Sequence, residues 1–109
     1  MAKTILQINY KFNTSRAEHT TLVTPNAEYI AGVSGLVWKV WLMNEAEHEA
    51  GGIYLFESRE AAQEFVSSPA ITSFAAHPSL SAFSVKIFEA VEPLSKITRG
   101  PLAAVKAVN

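Results

Sequence analysis

Polar and apolar residues alternate along residues 4 to 12, TILQINYKF, with Leu6, Ile8, Tyr10 and Phe12 on one side and Ile5, Gln7, Asn9 and Lys11 on the other. A period of two sends successive side chains to opposite faces and predicts a strand with one greasier face. The more polar set is the side expected to meet a partner sheet. Asn13, Thr14 and Ser15 then offer N-capping oxygens to a helix on which Leu22, Asn26, Tyr29, Ile30 and Val33 fall at helical spacing. Pro25 either kinks that helix or starts its second half, and Gly32 and Gly35 bracket its end.

The stretch from Gly35 to Phe56, GLVWKVWLMNEAEHEAGGIYLF, reads as a hairpin. Unbroken alternation sets Leu36, Trp38, Val40 and Leu42 against Val37, Lys39, Trp41 and Met43, so both faces are largely apolar and both need cover. Helices of the same chain serve one face, and a second subunit is the simplest cover for the other. Glu45 to Glu49 form a charged tip, and the next strand runs from about Gly51 to Phe56. Ser58 caps a helix with Ala61, Ala62, Phe65 and Val66 as its stripe. Ser68 and Pro69 open a short helix carrying Ile71, Phe74 and Ala75, which His77 and Pro78 stop. Residues 83 to 91, FSVKIFEAV, read as the last strand. The order strand, helix, strand, strand, helix, strand is the ferredoxin-like α+β arrangement βαββαβ, with a four-stranded antiparallel sheet. Residues 1–92 make this domain, and residues 93–109, with Pro93, Gly100 and Pro101, make a C-terminal arm expected to lie on its own subunit or the partner.

At 109 residues the chain holds one core. Charged residues are only 17% of it against 49% hydrophobic, which points to more hidden surface than a monomer needs. Nine basic and ten acidic residues are scattered, so nucleic acid is not an expected partner. Without cysteine there is no disulfide, iron–sulfur cluster or thiolate nucleophile. The chain also has no aspartate, its three histidines share no ligand spacing, and no Gly-rich phosphate loop follows a strand. Metal, flavin and nicotinamide are therefore not expected. The N-terminal segment lacks a signal peptide's apolar core and no run is long enough to span a bilayer, so a cytoplasmic protein without a membrane partner is the expectation.

Three segments, WKVW at 38–41, HEAGGIYLF at 48–56 and VKIFEAVEPLS at 85–95, closely resemble the YdhR family, whose members carry a monooxygenase label. The likeness spans roughly residues 4 to 98 and is weaker in the first helix and from Ser67 to Ala82. It implies a dimeric α/β barrel, in which two ferredoxin-like sheets pack face to face and each subunit keeps a cavity between sheet and helices. Relatives in that superfamily include cofactor-independent monooxygenases of aromatic polyketides and haem-degrading enzymes. The expectation is thus a homodimer that oxygenates a small aromatic or polycyclic phenolic compound without a cofactor. The alternatives are a binding dimer without catalysis and a haem-binding or haem-degrading protein with His77 as axial ligand.

On unbroken parity the helix-facing side of the sheet carries Tyr10, Phe12, Trp38, Tyr54 and Phe56, a surface suited to stacking a flat ligand or to filling a core. Tyr54 and Trp38 add a hydrogen-bonding group to the ring. Trp41 joins the substrate-binding candidates, although parity turns it with Gln7, Asn9, Lys39 and Lys86 toward the partner sheet. Cofactor-free oxygenation needs a base and a water-free pocket, because the substrate must be deprotonated before it can give an electron to O₂. His48, at the hairpin tip, and His77 are the candidate bases, with Tyr54 as a catalytic hydrogen-bonding group; His19 is expected on an exposed helix face. The bland readings are a solvated tip for His48 and a helix C-terminus for His77. Lys39 and Lys86 are expected to snorkel to the barrel rim. Gly51 and Gly52, at the start of a strand, signal close approach of a backbone or ligand, or simply a hairpin device.

Overall fold

The computed structural model describes residues 2–103. Its elements in order are β1 (Thr4–Phe12), α1 (Arg16–Ala31), β2 (Leu36–Asn44), β3 (Glu49–Phe56), α2 (Arg59–Val66), α3 (Pro69–Ala75), β4 (Leu80–Glu89) and α4 (Glu92–Ile97), with a 3-10 turn at Glu45–Glu47. The strands form one antiparallel sheet in the order β2-β3-β1-β4. This is the ferredoxin-like fold, with the sheet open and β2 and β4 at its edges.

The period of two in β1 becomes strict alternation of burial, with Thr4, Leu6, Ile8, Tyr10 and Phe12 all buried under the helices. Leu6 and Phe56 are fully buried at the centre of the core, where Ile30, Ala62 and Phe65 pack on them. Each such side chain contributes roughly 1.5–3 kcal/mol by leaving water. Ser15 caps α1, its Oγ accepting from the Glu18 N–H at 3.1 Å, and the helix runs unbroken through Pro25. Ser58 caps α2 in the same way through the Ala61 N–H at 3.1 Å.

The two inner strands, β1 and β3, pair without interruption from Thr4 opposite Phe56 to Lys11 opposite Glu49. Each edge strand is bulged. In β2, Leu36 faces Phe56 but Trp38 faces Leu55, so Val37 is an extra residue. In β4, Ser81 faces Lys11 and Ser84 faces Asn9, which leaves Ala82, at φ 54°, and Phe83 opposite Tyr10 alone. One extra residue reverses the parity of everything beyond it.

The assignment of Trp38 to the helix-facing side is therefore corrected. Trp38 shares the outer face with Leu55, and Lys39 and Trp41 turn inward beside Tyr54 and Gly52. Lys86, opposite Gln7 on the outer face and exposed, lies where alternation put it. Trp38 instead donates from Nε1 to the carbonyl of Pro101 at 2.6 Å, so the arm lies on its own subunit as far as it is described. Residues 104–109 of the arm are outside the described residues. Among the described residues no helix is long and apolar enough to cross a membrane.

Candidate active site

A cavity of ≈ 110 Å³ lies between the sheet and α1, α2 and α3. β1 gives it Ile8 and Tyr10, β3 gives Tyr54 above Gly51 and Gly52, and the reversed parity of β2 adds Lys39 and Trp41. From β4 comes Phe83, in step with Val85 and Ile87 on the inner face, which stacks on Tyr10 at a ring separation of 5.0 Å and 11° between planes. Phe65 from α2 and Phe74 from α3 close the roof, and Asn26 from α1 brings an amide. Tyr29, Trp41 and Val85 line the cavity yet remain 56%, 40% and 42% exposed, and so form its mouth.

Gly51 and Gly52 make this floor possible. A Cβ on Gly51 would stand 2.0 Å from the Ile8 carbonyl oxygen, so the glycine lets β1 approach. One on Gly52 would stand 2.4 Å from Lys39 Cε, so that glycine leaves room for the lysine stem. Lys39 Nζ rests 3.2 Å from the centre of the Trp41 ring and 4.4 Å from that of Tyr54. Among the described residues Lys39 is the one charged side chain lining the cavity, and no carboxylate lines it. Burial pushes its ammonium down to about 7. The ring faces attract the ammonium and not the amine, and so act against that fall.

Behind the cavity wall, the Tyr10 hydroxyl and His19 Nε2 are 2.6 Å apart, and both residues are buried. Burial raises Tyr10 to about 12 and lowers His19, so the pair is a phenol and a neutral imidazole, with the hydroxyl donating to the ring nitrogen. The expectation that His19 is exposed is thus corrected: only 4% of it reaches solvent. Its position falls three before Leu22, seven before Asn26 and eleven before Ile30, so the helical period held the signal. Tyr54 is also raised, by burial first and by Tyr10 second, and stays a neutral donor.

The remaining candidates are dispersed. Phe56 sits in the core against Phe65, and Phe12 packs on His19 and His48 at the end of β1; neither lines the cavity. His48 is exposed at the hairpin tip with φ 51°, where its carbonyl accepts from the Phe12 N–H at 2.9 Å. His77 follows α3 and accepts from the Ser79 N–H through Nδ1 at 3.1 Å, beside a surface cleft with Thr14 and Glu18. The structure brings Tyr10, Tyr54 and Trp41 together, leaves both candidate histidine bases outside the cavity, and adds Lys39, Asn26 and Phe83. Among the described residues no three histidine or glutamate side chains gather as a metal site.

The antiparallel sheet in the order β2-β3-β1-β4, with helices on one face and an aromatic cavity between the two layers, defines an α+β protein of the ferredoxin-like fold. The family model described as "Putative mono-oxygenase ydhR" matches residues 5–101, and the chain belongs to that family. Among solved structures it is similar to SnoaB, a cofactor-independent oxygenase from Streptomyces nogalater, at 17% identity and a TM-score of 0.68, covering 84% of this chain and 96% of that one. It is also similar to a "putative antibiotic biosynthesis monooxygenase" from Deinococcus radiodurans, at 13% identity and a TM-score of 0.68 over 97% and 99% of the chains. A third likeness is to the haem degrader MhuD from Mycobacterium tuberculosis, at 24% identity and a TM-score of 0.61 over 80% and 95%. These likenesses establish the fold. No curated protein matches the chain.

Proposed function

We propose that the protein is a cofactor-independent monooxygenase of small phenolic aromatic compounds. The observation that carries this reading is the cavity itself: walls of Tyr10, Tyr54, Phe65, Phe74 and Phe83, with exposed Trp41, Tyr29 and Val85 at its mouth. Its volume of ≈ 110 Å³ compares with the ~150 Å³ of an engineered apolar cavity that takes benzene. One ring is held inside, and a polycyclic compound extends through the mouth.

The reaction balances without an added reductant. A phenol carbon bearing hydrogen gains one oxygen atom of O₂ as a carbonyl, the other leaves as water with the two hydrogens, and the ring supplies all four electrons. Deprotonation comes first, because the phenolate gives an electron to O₂ far more readily than the phenol does. The aromatic walls hold the ring flat and keep water from the peroxide formed on it. With His48 and His77 outside the cavity, the ionisable groups facing a ligand are Tyr10, Tyr29, Lys39 and Tyr54.

We further propose that a second copy of the chain covers the outer face. Val40 and Phe88 are 52% and 49% exposed there, and Leu94 and Ile97 of α4 are 64% and 74% exposed, and this exposed apolar surface supports the reading. The test of function is oxygen consumption by metal-stripped protein with a panel of quinols, naphthols and anthrones. Uptake above the uncatalysed rate is expected, with one atom of labelled O₂ in the carbonyl formed from a naphthol or anthrone; a quinol turned into its quinone without label, releasing H₂O₂, would be oxidase chemistry and would overturn the reading. Saturable binding with no uptake would make the protein a binding dimer instead.

A further inference from the structure

We propose that Lys39 Nζ is the acid–base group of this cavity, and that the site selects phenols and enols acidic enough to surrender the O–H proton to an amine and be held as the anion. The inference deepens the monooxygenase reading and rests on it for its chemistry, but its geometry stands alone. The bulge at Val37 turns Lys39 inward, Gly52 leaves its stem room, and Trp41 and Tyr54 flank its nitrogen at 3.2 and 4.4 Å. Two departures from regular sheet thus converge on one amine.

The groups facing that amine settle its charge balance. β1 contributes Tyr10 and β3 Tyr54, both kept as neutral phenols by burial, and α1 contributes Tyr29 and the Asn26 amide, while α2, α3 and β4 contribute only apolar side chains to the cavity. A buried ammonium without a counter-charge is unfavourable, and the protein supplies none. A ligand can. When a neutral phenol meets the neutral amine, the Nζ lone pair takes the proton and the O–H bonding electrons stay on oxygen, so an ion pair forms with no change in total charge. Aliphatic alcohols are too weakly acidic to do this, and carboxylates arrive ionised with nothing to activate.

The same proton completes the turnover. The phenolate passes one electron to O₂, the two radicals join in a carbon–oxygen bond, and Nζ returns its proton to the outer peroxide oxygen. That oxygen leaves as water with the hydrogen of the attacked carbon, the O–O bond breaks, and Lys39 is neutral again. Lys39 is in this sense a catalytic residue, since it touches the reacting oxygen.

The probe is 4-nitrophenol, which is yellow only when ionised, added to the full chain one pH unit below its solution pKa. The wild type is expected to bind it as the yellow anion, an apparent ionisation shifted ~tenfold or more. Lys39→Met is expected to lose the colour while still binding 4-nitroanisole, which shows that its cavity is intact. Lys39→Arg keeps a cation that cannot serve as base, so it holds the yellow anion yet loses ~100-fold or more of the incorporation of labelled O₂ into a naphthol or anthrone. Colourless binding or no binding of nitrophenol by the wild type, or an equal ionisation shift in Lys39→Met, overturns the assignment. Ionisation by Lys39 without incorporation of labelled O₂ into any naphthol or anthrone leaves the site standing and sinks the monooxygenase reading; incorporation unchanged in Lys39→Met sinks the role of Lys39 alone.

Discussion

The inner and edge strands of this sheet do different work. β1 and β3 keep one register from end to end and bury Leu6, Ile8, Tyr54 and Phe56 on one face. β2 and β4 each carry one extra residue: in β2 it brings to the cavity Lys39 and Trp41, which unbroken alternation would aim outward, and in β4 it sets Phe83, in step with Val85, opposite Tyr10. The regular half supplies the core and a fixed wall of the cavity, Ile8, Tyr10 and Tyr54, while the bulge in β2 adds Lys39 and Trp41 to it, consistent with the enrichment of bulges beside active sites.

The comparison can be broken most sharply by deleting Val37. Every residue from Trp38 to Asn44 would then change face, sending Lys39 and Trp41 outward. The expected cost exceeds the ~2–5 kcal/mol of a single core truncation, read as the shift in the urea midpoint. Next is such a truncation in the regular half: Leu6→Ala should lose ~3–5 kcal/mol, since Leu6 is fully buried on an inner strand. A smaller loss, ~1–3 kcal/mol, is expected for Tyr10→Phe, which leaves His19 Nε2 unpaired beside the cavity. An effect near zero there would mean that water replaces the hydroxyl.

Lys39→Met is expected to reverse the sign and stabilise the fold, because it removes a buried cation without a partner. Lys39 titrates near 7 in the folded chain and at 10.5 in the unfolded one, so between these values the unfolded state binds the extra proton. Wild-type stability should therefore rise from pH 7 to about pH 10 relative to Lys39→Met, as thermal midpoints of the two proteins compared across that range would show. Parallel curves would mean that the ammonium is not strained by burial. Least affected in folding is the outer face: Val40→Glu should change monomer stability by only ~0.5 kcal/mol or less, while shifting the mass measured by light scattering from that of the proposed dimer to that of a monomer.

The same contrast explains what could be read from the sequence. β1 was legible because period-two burial needs only its own residues, and the caps at Ser15 and Ser58 are local hydrogen bonds. The ferredoxin-like order followed from those elements. Lys39 was not legible as a cavity residue, since a single extra residue at Val37 leaves no compositional trace and reverses the inference for Trp38 and Trp41 together. Gly51 and Gly52 held the hint of a close approach, without saying that one spares a backbone oxygen and the other a lysine stem. His19 was missed for a different reason. Its place on the stripe of Leu22, Asn26 and Ile30 was visible, but a polar side chain was taken as evidence of exposure before its partner on β1 was known.

Gly52 and Lys39 also bind each other's histories. With the lysine in place, any side chain at position 52 begins 2.4 Å from Cε, whereas a short residue at 39 would free position 52 to vary. Homologous chains should accordingly fall into two groups, those with lysine at 39 and glycine at 52, and those in which both have drifted. Membership of the first group would then mark out, among many sequences of one fold, those that retain the amine.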